Sequence, residues 1–160
     1  MERDDMILSG QLVIFSMDGQ RYALHLSAVQ RVVRAVEVTP LPSAPDIVLG
    51  VINIEGYIVP VINIRKRFGL PDKEIGLNDH LIIARTARRS VVLPIDSVSG
   101  ILYVSPDAVI ESSGILPHIG YVEGIAKLAD GMVLIHDLDT FLSLEEDRAL
   151  DESMSQRTED

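Results

Sequence analysis

The side chains with the greatest chemical reach in this sequence are four histidines, His25, His80, His118 and His136, and two closely spaced aspartates, Asp137 and Asp139. Metal chemistry would need histidines at H-x-x-x-H or H-E-x-x-H spacing, so that two imidazoles share one helix face, and no pair has it. His25 and His136 sit in or beside apolar runs, which marks them as structural histidines. Asp137 and Asp139 could be imagined as paired carboxylates, but at a helix start they read more simply as cap and dipole partners. Asp96 lies between Pro94-Ile95 and Ser97 and reads as an N-cap, the counterpart of Ser27. There is no G-x-S-x-G elbow, no P-loop and no G-x-G-x-x-G. The absence of cysteine removes disulfides, thiolate zinc sites and cysteine nucleophiles together. No catalytic residue, cofactor or metal is expected. An enzyme built from His118 and Asp137 would require a deep pocket containing both.

The elements that must position any surface are organised around residues 50–68. Two runs rich in β-branched residues meet across Glu55-Gly56, and Gly56 supplies the backbone freedom of a tight reversal, so a β-hairpin is expected. Pro60 cannot donate to a ladder, which places it at a sheet edge, a bulge or a bend. One or two helical turns follow Ile62 and stop at Phe68-Gly69. Upstream, residues 11–15 and 22–26 are apolar runs flanking Asp18-Gly19, a strong hairpin signal. Ser27 is expected to cap a short helical turn with Val29, Val32 and Val33 on one side, leading into a strand near residues 32–38. Pro40, Pro42 and Pro45 mark an extended loop.

After a polar linker at residues 71–78 the pattern starts again. Leu12 aligns with Leu81, Ile14 with Ile83, Leu24 with Leu93 and Val29 with Val98, at a shift of about 69 positions. Gly50 aligns with Gly124, Val61 with Ile135 and Asn63 with Asp137, at a shift of about 74. The shared order and nearly constant shift imply a duplicated unit. The expected architecture is all-β: two related curled sheets of about five short strands, each closed by a short helix, with a groove between them.

The chain has 160 residues, enough for one ordinary domain or two small ones. Its 24 acidic and 14 basic side chains give a formal charge of −10, which argues against nucleic-acid binding. Residues 145–160 are polar and strongly acidic, and are expected to be disordered. No apolar stretch approaches the ~20 residues that span a bilayer, and no apolar run follows the acidic start, so membrane insertion and a signal peptide are not expected. A soluble, cytoplasmic protein is the expectation.

Residues 50–65, GVINIEGYIVPVINIR, resemble the signature of CheW-like domains, usually close to G-V-x-N-L-R-G-x-I-V-P-V-x-D-L-R. The likeness extends through the opening hairpin, the Thr39-Pro40-Leu41-Pro42 loop and residues 93–101. The resemblance implies a single domain over residues 10–143, with two tandem SH3-like five-stranded β-barrels and short helical segments. Barrel one would occupy about 10–70, plus packing from the C-terminal segment, and barrel two about 79–143; residues 1–9 and 144–160 would be flexible termini. It implies a non-enzymatic adaptor that couples chemoreceptors, through their cytoplasmic tip, to the CheW-like regulatory domain of a CheA-type histidine kinase in chemotaxis signal transduction. The alternatives are a divergent scaffold in another pathway, such as surface motility, or a groove-based ligand-binding module. The receptor groove implied for this chain comprises Val29, Arg31, Val32, Val33, Glu55, Gly56, Val98 and Ile101. The sequence departs from the family pattern at two charges. Glu55 stands where arginine is usual and Arg31 where glutamate is often found, so a reversed Arg31–Glu55 ion pair is expected.

Overall fold

The computed structural model describes residues 10–105, 107, 109–111 and 122–159. Eleven strands form two sheets among them: β1 Gln11–Met17, β2 Gln20–His25, β3 Val29–Arg34, β4 Val48–Ile54, β5 Tyr57–Ile62, β6 His80–Arg85, β7 Ser90–Ile95, β8 Ser97–Tyr103, β9 Val109–Glu111, β10 Val122–Leu128 and β11 Gly131–His136. Helix α1 is Ile64–Phe68 and α2 is Leu144–Glu159. Asp18-Gly19 and Glu55-Gly56 turn their hairpins with φ of 52° and 80°, and of 52° and 93°, the two positive values of a type I′ reversal. Asn63 caps α1 by accepting from the Lys66 N–H, and Gly69 ends it in the left-handed conformation.

The all-β class of two β-barrels is present, and each barrel takes a hairpin from the other half of the chain. One sheet has the order β8-β1-β2-β11-β10-β9, the other β3-β6-β7-β5-β4. The hairpin of residues 11–25 therefore completes the sheet of the second half, and that of residues 80–95 completes the sheet of the first, which corrects the division at about 70–79. The reason is legible in burial. Leu81 and Ile83 of β6 pack into the interior of the five-stranded sheet, while Ile82 and Ala84 pack into a central core shared by both sheets. Likewise Leu12 and Ile14 of β1 enter the interior of the six-stranded sheet, and Phe15 and Met17 enter the shared core. Strands apolar on both faces need two cores, and the exchange supplies them. The duplication is visible in register. Leu12 pairs with Leu102 as Leu81 pairs with Val33, and Ala23 pairs with Ile135 as Val92 pairs with Val61.

Three local expectations are corrected. Ser27 does not cap a helix: a single 3-10 turn spans Leu26–Ala28 with His25 at its N-cap, and β3 starts at Val29. The β-branched valines favour the pleated strand, which also begins and ends earlier than residues 32–38. Pro60 is buried on β5, a strand flanked by β7 and β4. Its partner Val51 exchanges both backbone hydrogen bonds with Thr39, at 2.8 and 2.9 Å, so the missing donor costs the β4–β5 ladder nothing.

The acidic tail is helical rather than disordered. Ser143 and Glu146 form a capping box: the Ser143 hydroxyl oxygen accepts from the Glu146 N–H at 3.0 Å, and the Glu146 carboxylate accepts from the Ser143 N–H at 2.8 Å. Its acids meet arginines: Asp147 accepts from Arg89 at 2.6 Å and Arg88 at 3.0 Å, Glu146 from Arg67 at 2.7 Å, and Asp151 pairs with Arg89. Leu150 is fully buried with Leu41 and Val51, and Met154 packs against the same cluster. Composition read alone missed counter-charges more than fifty residues away. Residues 1–9, also expected to be flexible, lie outside the described residues.

Candidate functional site

In the five-stranded sheet β3 and β4 are the outermost strands, yet two contacts bring them together. Thr39, beyond the end of β3, bridges to Val51 of β4. Arg31 of β3 donates through Nη1 to Glu55 Oε1, in the β4–β5 turn, at 3.1 Å. The sheet thus curls on itself, and the ion pair lies across the closure. The side chains are 44% and 76% exposed, so the pair contributes about 0.2–1 kcal/mol and acts mainly as a charge display. The Asn53 side chain accepts from the Gly56 N–H at 2.8 Å, which fixes the turn that presents Glu55.

Beside the pair lies a cleft of about 590 Å³, lined in part by Gln30, Tyr57, Ile58, Arg85 and Arg89. Tyr57 is 76% exposed and Ile58 is also exposed, so aromatic and aliphatic surface adjoins the two charges. Both were missed as site residues from sequence. Their signal was position: they directly follow the Glu55-Gly56 turn, at the tip of the hairpin.

Of the eight residues implied by the resemblance, the structure brings Arg31, Glu55 and Gly56 together on this face, and Val32 is an exposed neighbour on β3. Val29 and Val98 are partly buried against the shared core, and Val33 against the core of the five-stranded sheet. Ile101 is exposed on β8, in the six-stranded sheet. The set therefore divides into packing residues and surface residues.

A second polar cluster joins the two sheets. The Arg65 side chain, on α1, is 9% exposed and donates to Asp18 at 2.9 Å and to Asp96 at 2.7 Å. Asp96 also accepts from the Asp18 N–H at 2.9 Å and from Lys73 at 3.2 Å. Asp96 caps no helix, which corrects its expected role: it links β7 to β8 and holds the β1–β2 turn. Burial alone would raise its carboxyl, but hydrogen bonds from the Asp18 N–H, Arg65 and Lys73 outweigh burial and hold it below the usual carboxylate range. Burial likewise pulls Arg65 down, and its hydrogen bonds to Asp96 and Asp18 prevail and raise it. Arg65 closes the family signature, which was the available signal for its importance.

Those of the other candidates that are described fill structural roles. Asp137 accepts from the Asp139 N–H at the start of a 3-10 turn, as a cap, and Asp139 accepts from the Ala87 N–H. His136 is buried among rings, 4.1 Å from Phe68 and 5.4 Å from Tyr22 by centroid. His118 lies outside the described residues. Among the described residues no group of three or more His, Asp or Glu could hold a metal ion, and no helix is long and apolar enough to cross a membrane.

Two interlocked β-barrels displaying a charged pair beside apolar surface define a protein-docking module. The chain belongs to the CheW-like domain family, whose model matches residues 11–146. It is 29% identical over 141 residues to the chemotaxis protein CheW of Rhizobium meliloti (strain 1021), covering 87% of this chain and 91% of that protein. It is 26% identical over 142 residues to the chemotaxis protein CheW of Treponema pallidum (strain Nichols), covering 85% and 84%. The crystal structure of the scaffolding protein TtCheW from Thermoanaerobacter tengcongensis superposes with a TM-score of 0.78 at 28% identity, covering 86% of this chain and 95% of that one.

Proposed function

We propose that this protein is a non-enzymatic cytoplasmic adaptor that couples the tip of chemoreceptors to the CheW-like domain of a CheA-type histidine kinase. The observation that carries the reading is the exposed Arg31–Glu55 pair, set at the barrel closure beside Tyr57 and Ile58 in a chain of the CheW-like family. Relatives that bear chemotaxis names and a solved relative described as a scaffold support it. Arg31, Val32, Glu55, Gly56 and Ile101 are the contact residues, while Val29, Val33 and Val98 hold their strands in place. Because Glu55 presents an anion where the family usually presents arginine, the matching partner carries a cation opposite it.

The test is co-purification of the cognate kinase and receptor from native extract with wild type, Glu55→Arg and the double exchange Arg31→Glu/Glu55→Arg as baits. Wild type recovers both partners. Glu55→Arg places two like charges side by side and loses or changes the receptor recovered. If wild type recovers neither a kinase nor a receptor, the adaptor reading is wrong.

A further inference from the structure

We infer that a second docking surface, separate from the Arg31–Glu55 face, receives a cationic, amphipathic segment of a partner protein. A groove of about 760 Å³ runs between the residues that follow β3 and the linker that precedes β6. None of its lining residues belongs to the cleft beside Arg31 and Glu55. Large apolar side chains line part of it, with Leu77 89% exposed and Val36 and Leu49 also turned to solvent. Large apolar side chains gathered in one concavity are the usual mark of a contact surface, whereas scattered ones are not.

Charge identifies the occupant. Glu37, Asp72 and Glu74 line the same groove. Among the described residues no hydrogen bond or ion pair engages their side chains. The only cation in the lining, Lys73, already spans Asp79 at 3.4 Å and Asp96 at 3.2 Å. A groove lined by both apolar and acidic side chains complements a segment with one apolar face and flanking lysines or arginines. A second copy of this chain would bring like acidic grooves together on a protein of charge −10, so self-association is disfavoured. An adaptor needs two non-overlapping surfaces to hold two partners at once, but the inference stands on the groove and not on the adaptor reading.

The test uses the full-length, isotope-labelled protein and two synthetic helical peptides with identical leucine faces, one bearing lysines and the other glutamates. The expected result is saturable binding of the lysine peptide, with amide shifts confined to residues 35–38, 49 and 72–77, and no binding of the glutamate peptide. Leu77→Ser combined with Val36→Ser weakens binding by about tenfold, since most of the apolar contact is lost. Glu37→Gln with Glu74→Gln flattens its salt dependence. All four positions are exposed, so the variants fold. Shifts spread over the acidic surface, equal binding of both peptides, or wild-type affinity in the variants would overturn the inference. So would concentration-dependent shifts at these residues without peptide, which would mean a second copy fills the groove.

Discussion

Arg65 is the side chain whose removal tests the joint between the two sheets. It makes two charged hydrogen bonds, at 2.9 and 2.7 Å, to aspartates on different connections. Bonds to charged groups contribute about 1.5–3 kcal/mol each. The low end applies here, because the Asp18 and Asp96 side chains are 39% and 29% exposed and rehydrate when abandoned. With the lost packing of the aliphatic stem, Arg65→Ala destabilises by about 3–4 kcal/mol. Arg65→Lys keeps a charge but not the fork that spans both acids, and costs about half of that. Asp96 supplies a pH signature. Its carboxyl is depressed in the folded state, so its contribution is present above the unfolded value near 3.9 and is lost as pH falls through the folded value. Urea unfolding at pH 7 and at steps below about pH 4 reads both effects, through a shifted midpoint at constant slope. In wild type the stability falls across the acid steps, and Arg65→Ala removes the part of that dependence that the Arg65 hydrogen bond gives Asp96. A loss below about 1 kcal/mol for Arg65→Ala would refute the joint. So would additivity of Arg65→Ala with Asp96→Asn to within about 0.3 kcal/mol.

Three further outcomes follow from the geometry. A Cβ on Gly50 would sit 2.3 Å from the Thr39 carbonyl oxygen, so Gly50→Ala breaks the Thr39–Val51 bridge and costs about 3–4 kcal/mol, measured by thermal unfolding. Asp147→Ala removes the buried carboxylate that takes Arg88 and Arg89 and costs about 2–3 kcal/mol at α2; hydrogen exchange there rises about 30- to 150-fold while the sheets stay protected. Arg31→Ala changes stability by less than about 1 kcal/mol in urea, because the ion pair is exposed, so any larger effect on partner recovery is a surface effect.

How much of this was legible in the sequence depends on range. Asp18-Gly19, Glu55-Gly56 and the Asn63-to-Gly69 helix were readable, because turn and cap chemistry is local. The Arg31–Glu55 contact was readable through the family pattern, which relates two positions 24 apart. The exchange of hairpins was not. Equivalent hairpins fit either sheet by pattern, and only the pairing of Leu12 with Leu102 rather than Val33 decides the matter. The tail failed for a related reason. Ser143-Leu144-Glu145-Glu146 carries the S-x-x-E spacing of a capping box, but the arginines that neutralise the helix lie on another hairpin.

The exchange also explains where the surface charges can vary. Each sheet borrows a hairpin from the other half, so neither can open without disturbing the shared core around Phe15, Ile82 and Leu93. Arg65 fastens the same junction through the turns at its edge. Stability therefore resides in the joint and the three interiors, and the outer face of β3 and the β4–β5 turn carries little of it. A reversal of charge at Arg31 and Glu55 changes what the protein presents to a partner while leaving the framework that presents it intact.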